Sequence, residues 1–139
     1  MAPTSSADHA ANNILTRVQP RAVPASQAPF SQVVLDEHYA FLAGLVAADF
    51  PAGLDALGDI AAETRAVLGI IGDILDELQL SRDNMVKVEV HLADLDDFDA
   101  MDEAYREFFN NNAYPARTTT ESPQLFGGSK VEITCQVRR

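Results

Sequence analysis

The stretch Tyr39–Ala47 constrains this chain more than any other, because both of its alternating side-chain sets are apolar. Successive side chains of a strand point to opposite faces of its sheet. Tyr39, Phe41, Ala43 and Leu45 then fall on one face, and Ala40, Leu42 and Val46 on the other. A strand that is apolar on both faces has to be covered on both. One layer of helices covers one face; the other needs more chain or a second subunit.

The helices that supply the first layer are legible. Ile60, Thr64, Val67, Leu68, Ile71, Ile74, Leu75 and Leu78 recur at helical spacing, which marks one buried stripe. Asp59 stands where an N-cap would accept a free amide of the first turn. A second stripe, Phe98, Met101, Tyr105 and Phe108 with Phe109 beside it, follows Asp96 and Asp99, which have capping-box-like spacing. Asn110–Asn112 and Pro115 end that helix.

Strand patterns surround the helices. Ile14–Val18 and Val33–Leu35 are short candidates, joined by an extended connector with Pro20, Pro24 and Pro29. Asp36-Glu37 forms a turn. Ala48–Gly58, with Pro51, Gly53 and Gly58, reads as a loop. Met85–Leu92 alternates, with Val86, Val88, Val90 and Leu92 on one face and Lys87, Glu89 and His91 on the other. Arg117–Thr120 is a threonine-rich strand, Phe126–Ser129 a turn, and Lys130–Val137 the last strand. There Val131, Ile133, Cys135 and Val137 share one face and Glu132, Thr134 and Gln136 the other. Strands, helix, strand, helix, strands predict an α+β two-layer domain over residues 14–139. Residues 1–13 read as a loose tail. The uncovered sheet face, mixing Tyr39 or Leu42 with Lys87, Glu132 and Thr134, predicts self-association.

Charge narrows the function. Ten Lys and Arg against 21 Asp and Glu give a formal net charge of -11. Phosphate backbones are bound by clustered basic residues, so nucleic acid is not an expected partner. No apolar run reaches the length of a membrane span, and the first residues lack the pattern of a secretory signal. The single cysteine, Cys135, excludes an internal disulfide and fits a cytoplasmic setting. It lies on the apolar face of its strand, as a core thiol does. His9, His38 and His91 lack metal-ligand spacing, so neither metal nor cofactor is expected.

Tyr114-Pro115-Ala116-Arg117-Thr118-Thr119 and Val131-Glu132-Ile133 together resemble the Pro-Ala-Arg-Ser/Thr and Val/Ile-Glu-Ile/Val motifs of the RidA (YjgF) family. Ala28-Pro29-Phe30-Ser31-Gln32, Phe41-Leu42-Ala43-Gly44, Glu63-Thr64-Arg65, Val86-Lys87-Val88, Leu95-Asp96-Asp97-Phe98 and Tyr105-Arg106-Glu107-Phe108-Phe109 resemble family segments in family order. The likeness runs from about Leu15 to the end of the chain.

The resemblance implies a chorismate-mutase-like fold, a homotrimer and sites in clefts between subunits. It also implies hydrolysis of 2-imino acids, or their enamine tautomers, to 2-oxo acids and ammonia. Arg117 falls on the family's arginine, whose planar fork suits a substrate carboxylate. Glu132 falls on the carboxylate that orients water. The backbone near Thr119 would hold the imine. Three departures alter the pocket. Phe30 replaces a common Tyr, Ala43-Gly44-Leu45 replaces Ser-Gly-Gln, and Asp102 stands where Asn is common. Lost hydrogen-bonding groups change substrate choice by large factors. The expected function is therefore an imine deaminase, with a non-catalytic trimer that binds small 2-oxo acids as the alternative.

Overall fold

The computed structural model describes residues 14–139; the tail assigned to residues 1–13 lies outside them. Six strands form one sheet: β1 (Thr16–Val18), β2 (Val33–Leu35), β3 (Tyr39–Val46), β4 (Met85–Leu92), β5 (Ala116–Glu121) and β6 (Val131–Arg138). Their spatial order is β1-β2-β3-β6-β4-β5. All pairings are antiparallel except β4 with β5, which are parallel. A parallel pair needs a crossover. Here that is α3 (Phe98–Phe108); α1 (Pro51–Ala56) and α2 (Ile60–Glu77) precede β4.

The long helix begins where its cap predicts. The Asp59 side chain accepts from the Ala62 N–H at 3.1 Å. Val67, Leu68, Ile71, Ile74 and Leu75 are buried against Leu42, Leu45, Val88, Val90, Ile133 and Val137 of the sheet. Both long helices lie on this one face, as the α+β reading expects. Burying a Leu or Ile side chain contributes roughly 1.5–3 kcal/mol, so this stripe is the main apolar stabilisation of the domain.

Three local readings are corrected. Ala48–Gly58 is not all loop, because Pro51 occupies the first turn of α1, where its missing N–H costs nothing. The other two corrections are β-bulges. In β3, Leu42 pairs with Cys135 but Leu45 pairs with Ile133, with a register shift between them. Leu45 therefore joins Ala40 and Leu42 on the helix side, and Val46 crosses to the face of Tyr39 and Phe41. In β4, Met85 pairs with Val137 and Lys87 with Gln136, again with a shift. Met85 is buried and Val86 is 40% exposed, so Val86 does not share the face of Val88. An inserted residue reverses the phase of a strand, and strict alternation cannot reveal it.

A buried carboxylate ties the layers together. Glu63 of α2 is fully buried and accepts two backbone N–H groups, Gly58 at 2.9 Å and Lys130 at 2.8 Å. The second bond fixes the residue that starts β6. The turn before it, Phe126–Gly128, packs closely on Ala48. A side chain at Gly127, whose φ is +66°, would lie 2.4 Å from the Ala48 Cβ. Glu63→Ala leaves both N–H groups unpaired, at a cost of about 2–4 kcal/mol. Urea unfolding should show that loss, with Glu63→Gln intermediate.

Candidate active site

Arg117 sits on β5 and points to the helix side. It is paired with Val88, which is paired with Cys135, and both of these are buried beneath the helices. β5 is an edge strand, so the core does not close over it. The guanidinium lies 4.7 Å from the Tyr105 ring centre and 5.5 Å from that of Phe98. Such stacking suits a planar cation. Nη1 of Arg117 is 2.7 Å from Oδ1 of Asp102, and Oδ2 of Asp102 is 3.6 Å from Nη2 of Arg106.

These groups surround a cavity of about 340 Å³ lined by Asp102, Tyr105, Arg106, Tyr114, Pro115 and Arg117. The helix end shapes its mouth. After α3, Asn111 and Asn112 take positive φ values of 52° and 58°, conformations Asn tolerates better than most residues. They turn the chain so that Tyr114 packs edge-on against Phe109 at 5.8 Å. Thr119 lies two residues along from Arg117 on the same face. Its Oγ1 and the Tyr105 hydroxyl are buried with no hydrogen-bond partner among the described residues. Burial pushes the Tyr105 phenol up to about 12, against the pull of Arg117. It is therefore an O–H donor at neutral pH.

Glu132 stands on the opposite face of the sheet. Its neighbours Val131 and Ile133 are buried under the helices, while Glu132 alternates away from them. It pairs with Val46 on one side and His91 on the other. Its carboxyl group lies over Gly44, where an added Cβ would meet Glu132 Cδ at 2.9 Å. Ala43 and Gly44 form the β3 bulge, and Phe30 is 53% exposed before β2. Within one chain, Arg117, Asp102 and Thr119 gather on one side, and Glu132, next to Gly44, lies on the other.

Tyr105, Arg106 and Tyr114 line the cavity, although the sequence reading gave them no site role. The i to i+4 spacing of Asp102 and Arg106 was the available signal. His91, expected at the surface, lies beside Glu132, with Nδ1 2.7 Å from Thr120 Oγ1. Among the described residues no group of three His, Cys, Asp or Glu could hold a metal ion. Nor is any helix among them long and apolar enough to cross a membrane.

The sequence model of the Endoribonuclease L-PSP family matches residues 20–138. The 2-iminobutanoate/2-iminopropanoate deaminase of Homo sapiens is 34% identical over 110 residues, 79% of this chain and 80% of that protein. A RutC family protein of Pyrococcus abyssi is 38% identical over 97 residues, 70% of this chain and 76% of that protein. Among solved structures, yeast Mmf1 superposes with a TM-score of 0.79 at 26% identity, covering 91% of this chain and 99% of Mmf1. HI0719 of Haemophilus influenzae gives 0.80 at 27%, covering 91% and 98%. This two-layer α+β fold is that of the solved Rid-type relatives. The chain belongs to the RidA (YjgF) family.

Two outcomes check this geometry. Gly44→Ala keeps a β-compatible backbone but displaces the Glu132 carboxyl, so a crystal structure of the variant should show Glu132 rotated from its place. Burial pushes the Cys135 thiol up to about 12 from an ordinary value of 9.0. The native thiol stays protonated and enclosed, and should resist iodoacetamide at pH 8 that labels the urea-unfolded chain. Stability linked to this thiol is full below pH 9.0 and falls as pH rises from there towards 12.

Proposed function

We propose that this protein hydrolyses 2-imino acids, or their enamine tautomers, to 2-oxo acids and ammonia. The observation that carries the reading is the Arg117 guanidinium, held between two aromatic rings beside an open cavity on an edge strand. The human relative named a 2-iminobutanoate/2-iminopropanoate deaminase supports the substrate class.

Because Arg117 and Glu132 occupy opposite faces, the working site is assembled between subunits of a homotrimer. One subunit brings Arg117 at its β5 edge, and its neighbour brings Glu132 from its uncovered sheet face. That face keeps Tyr39, Phe41, Lys87 and Thr134 together, too apolar to be left wholly in water. Among the described residues no strand lies beyond β5, so another subunit can approach this edge.

In the assembled cleft Arg117 holds the substrate carboxylate. Glu132 takes a proton from water as its oxygen attacks the imine carbon, and passes that proton to the nitrogen to give a carbinolamine. The carbinolamine hydroxyl proton then moves by way of Glu132 to the amine, and ammonia leaves as the C–N bond breaks and the C=O bond forms, with Glu132 again a carboxylate. Positioning supplies most of the acceleration, since imines are reactive electrophiles. The backbone near Thr119, two residues along β5 from Arg117, holds the imine. Phe30 and Ala43 place apolar groups where polar groups are common in relatives, which favours a bulkier or different substrate side chain.

The single thiol and the metabolite chemistry fit a cytoplasmic location. Endoribonuclease, the word in the family's name, is not carried over to this chain. The net charge of -11 opposes RNA binding.

Ammonia release from enzymatically generated 2-iminopropanoate tests the proposal. Arg117→Ala should lower kcat/KM about 100-fold or more, the scale of losing a charge-assisted bidentate contact. Arg117→Lys should recover only part of it. Glu132→Gln should reduce kcat while 2-oxobutanoate still binds. Saturable 2-oxo acid binding with wild-type turnover no faster than buffer would instead make the trimer a sensor.

A further inference from the structure

The carboxylate of Asp102 already occupies the group assigned to the substrate. We propose that Asp102 is a displaceable counterion of Arg117, handed to Arg106 when a substrate carboxylate takes the guanidinium. This handover sets the site's preference for monocarboxylates, and it rests on the reading of Arg117 as the anchor.

The geometry separates a fixed member from a moving one. Arg117 is only 22% exposed and is pinned between the rings of Tyr105 and Phe98. Asp102 is nearly as enclosed, at 28% exposed, but the polar contacts of its side chain among the described residues are the two arginines alone. One oxygen is 2.7 Å from Arg117, and the other is 3.6 Å from Arg106, a long contact with room to shorten. Arg106 is 61% exposed on the next turn of α3, free to follow the carboxylate. The two arginines thus share one aspartate, and rotation of the Asp102 side chain transfers it from one to the other.

Charge bookkeeping gives the specificity. Within one subunit, two guanidiniums and one carboxylate line the cavity, a net +1; the Glu132 that a neighbouring subunit brings stands outside this set, on the proton-handling side of the assembled cleft. One substrate carboxylate brings the set to zero, with Arg117 paired to substrate and Arg106 to Asp102. A dicarboxylate leaves an unpaired negative charge beside Asp102. A partly buried site amplifies that difference, because water screens it less than at an open surface. Without Arg106, the displaced Asp102 would face the incoming carboxylate with no cation of its own. Asp102 and Arg106 are accordingly specificity-determining residues, acting through Arg117.

The test is a double-mutant cycle on the full chain, using Asp102→Asn, Arg106→Gln and both together. Calorimetry reads the Kd of 2-oxobutanoate and 2-oxoglutarate, and steady-state assays read KM and kcat for 2-iminopropanoate. Asp102→Asn should tighten 2-oxobutanoate about two- to fivefold, the scale of one partly exposed ion pair. It should tighten 2-oxoglutarate more than that. Arg106→Gln should weaken 2-oxobutanoate in the wild-type background and have little effect once Asp102 is Asn. KM should move in these variants while kcat holds. Weaker binding in Asp102→Asn, or an equal effect of Arg106→Gln in both backgrounds, overturns the handover and leaves a structural ion pair. Asp102→Ser replaces Asp102→Asn if circular dichroism shows a folding defect, with the same sign expected. Arg117→Ala keeps the two ideas apart. Full binding in that variant overturns the anchor itself, whereas lost binding with an additive cycle overturns only the handover.

Discussion

A strand's side chains alternate, and here that alternation is interrupted twice. The bulges between Leu42 and Leu45 and between Met85 and Lys87 let β3 and β4 keep an unbroken apolar face under α2 and α3. The bulge in β3 also brings Gly44 beneath Glu132, where only a residue without Cβ leaves space for the carboxyl. Packing on one face and the placing of Glu132 on the other are thus fixed by the same irregularity. Glu63 extends this control by anchoring the start of β6 two residues before Glu132.

The arginine is managed differently. β5 lies at the sheet's margin, so Arg117 is neither buried in the core nor free in solvent. Aromatic rings hold its plane, and Asp102 satisfies one of its five donors. The buried hydroxyls of Tyr105 and Thr119 sit nearby without partners among the described residues.

Much of this was legible in the sequence for physical reasons. The α2 stripe is long and periodic, and its Asp59 cap is unambiguous, so the helix fell where the pattern put it. The Pro-Ala-Arg and Val-Glu-Ile segments put Arg117 and Glu132 on β5 and β6, strands separated in the sheet by β4. Val86 and Leu45 were put on the wrong faces because a bulge changes the phase without changing composition. α1 was missed because six residues carrying Pro51 and Gly53 show turn chemistry more strongly than helical periodicity. That Arg117 and Glu132 point to opposite sides follows from register, which depends on pairing partners far apart in the chain. The charges around Asp102 depend on α3 crossing β5, a tertiary fact no local pattern encodes.

The parallel pairing of β4 and β5 across α3 has a consequence for how the site comes into being. Arg117, Asp102, Arg106 and the rings that flank them all belong to one contiguous stretch of chain, Met85–Glu121. Every copy of the protein therefore carries this arginine–aspartate set within one βαβ unit. In the assembly proposed above, the proton-handling carboxylate would arrive only when a second copy docks, so capture of the anion would belong to single molecules and turnover to their encounter.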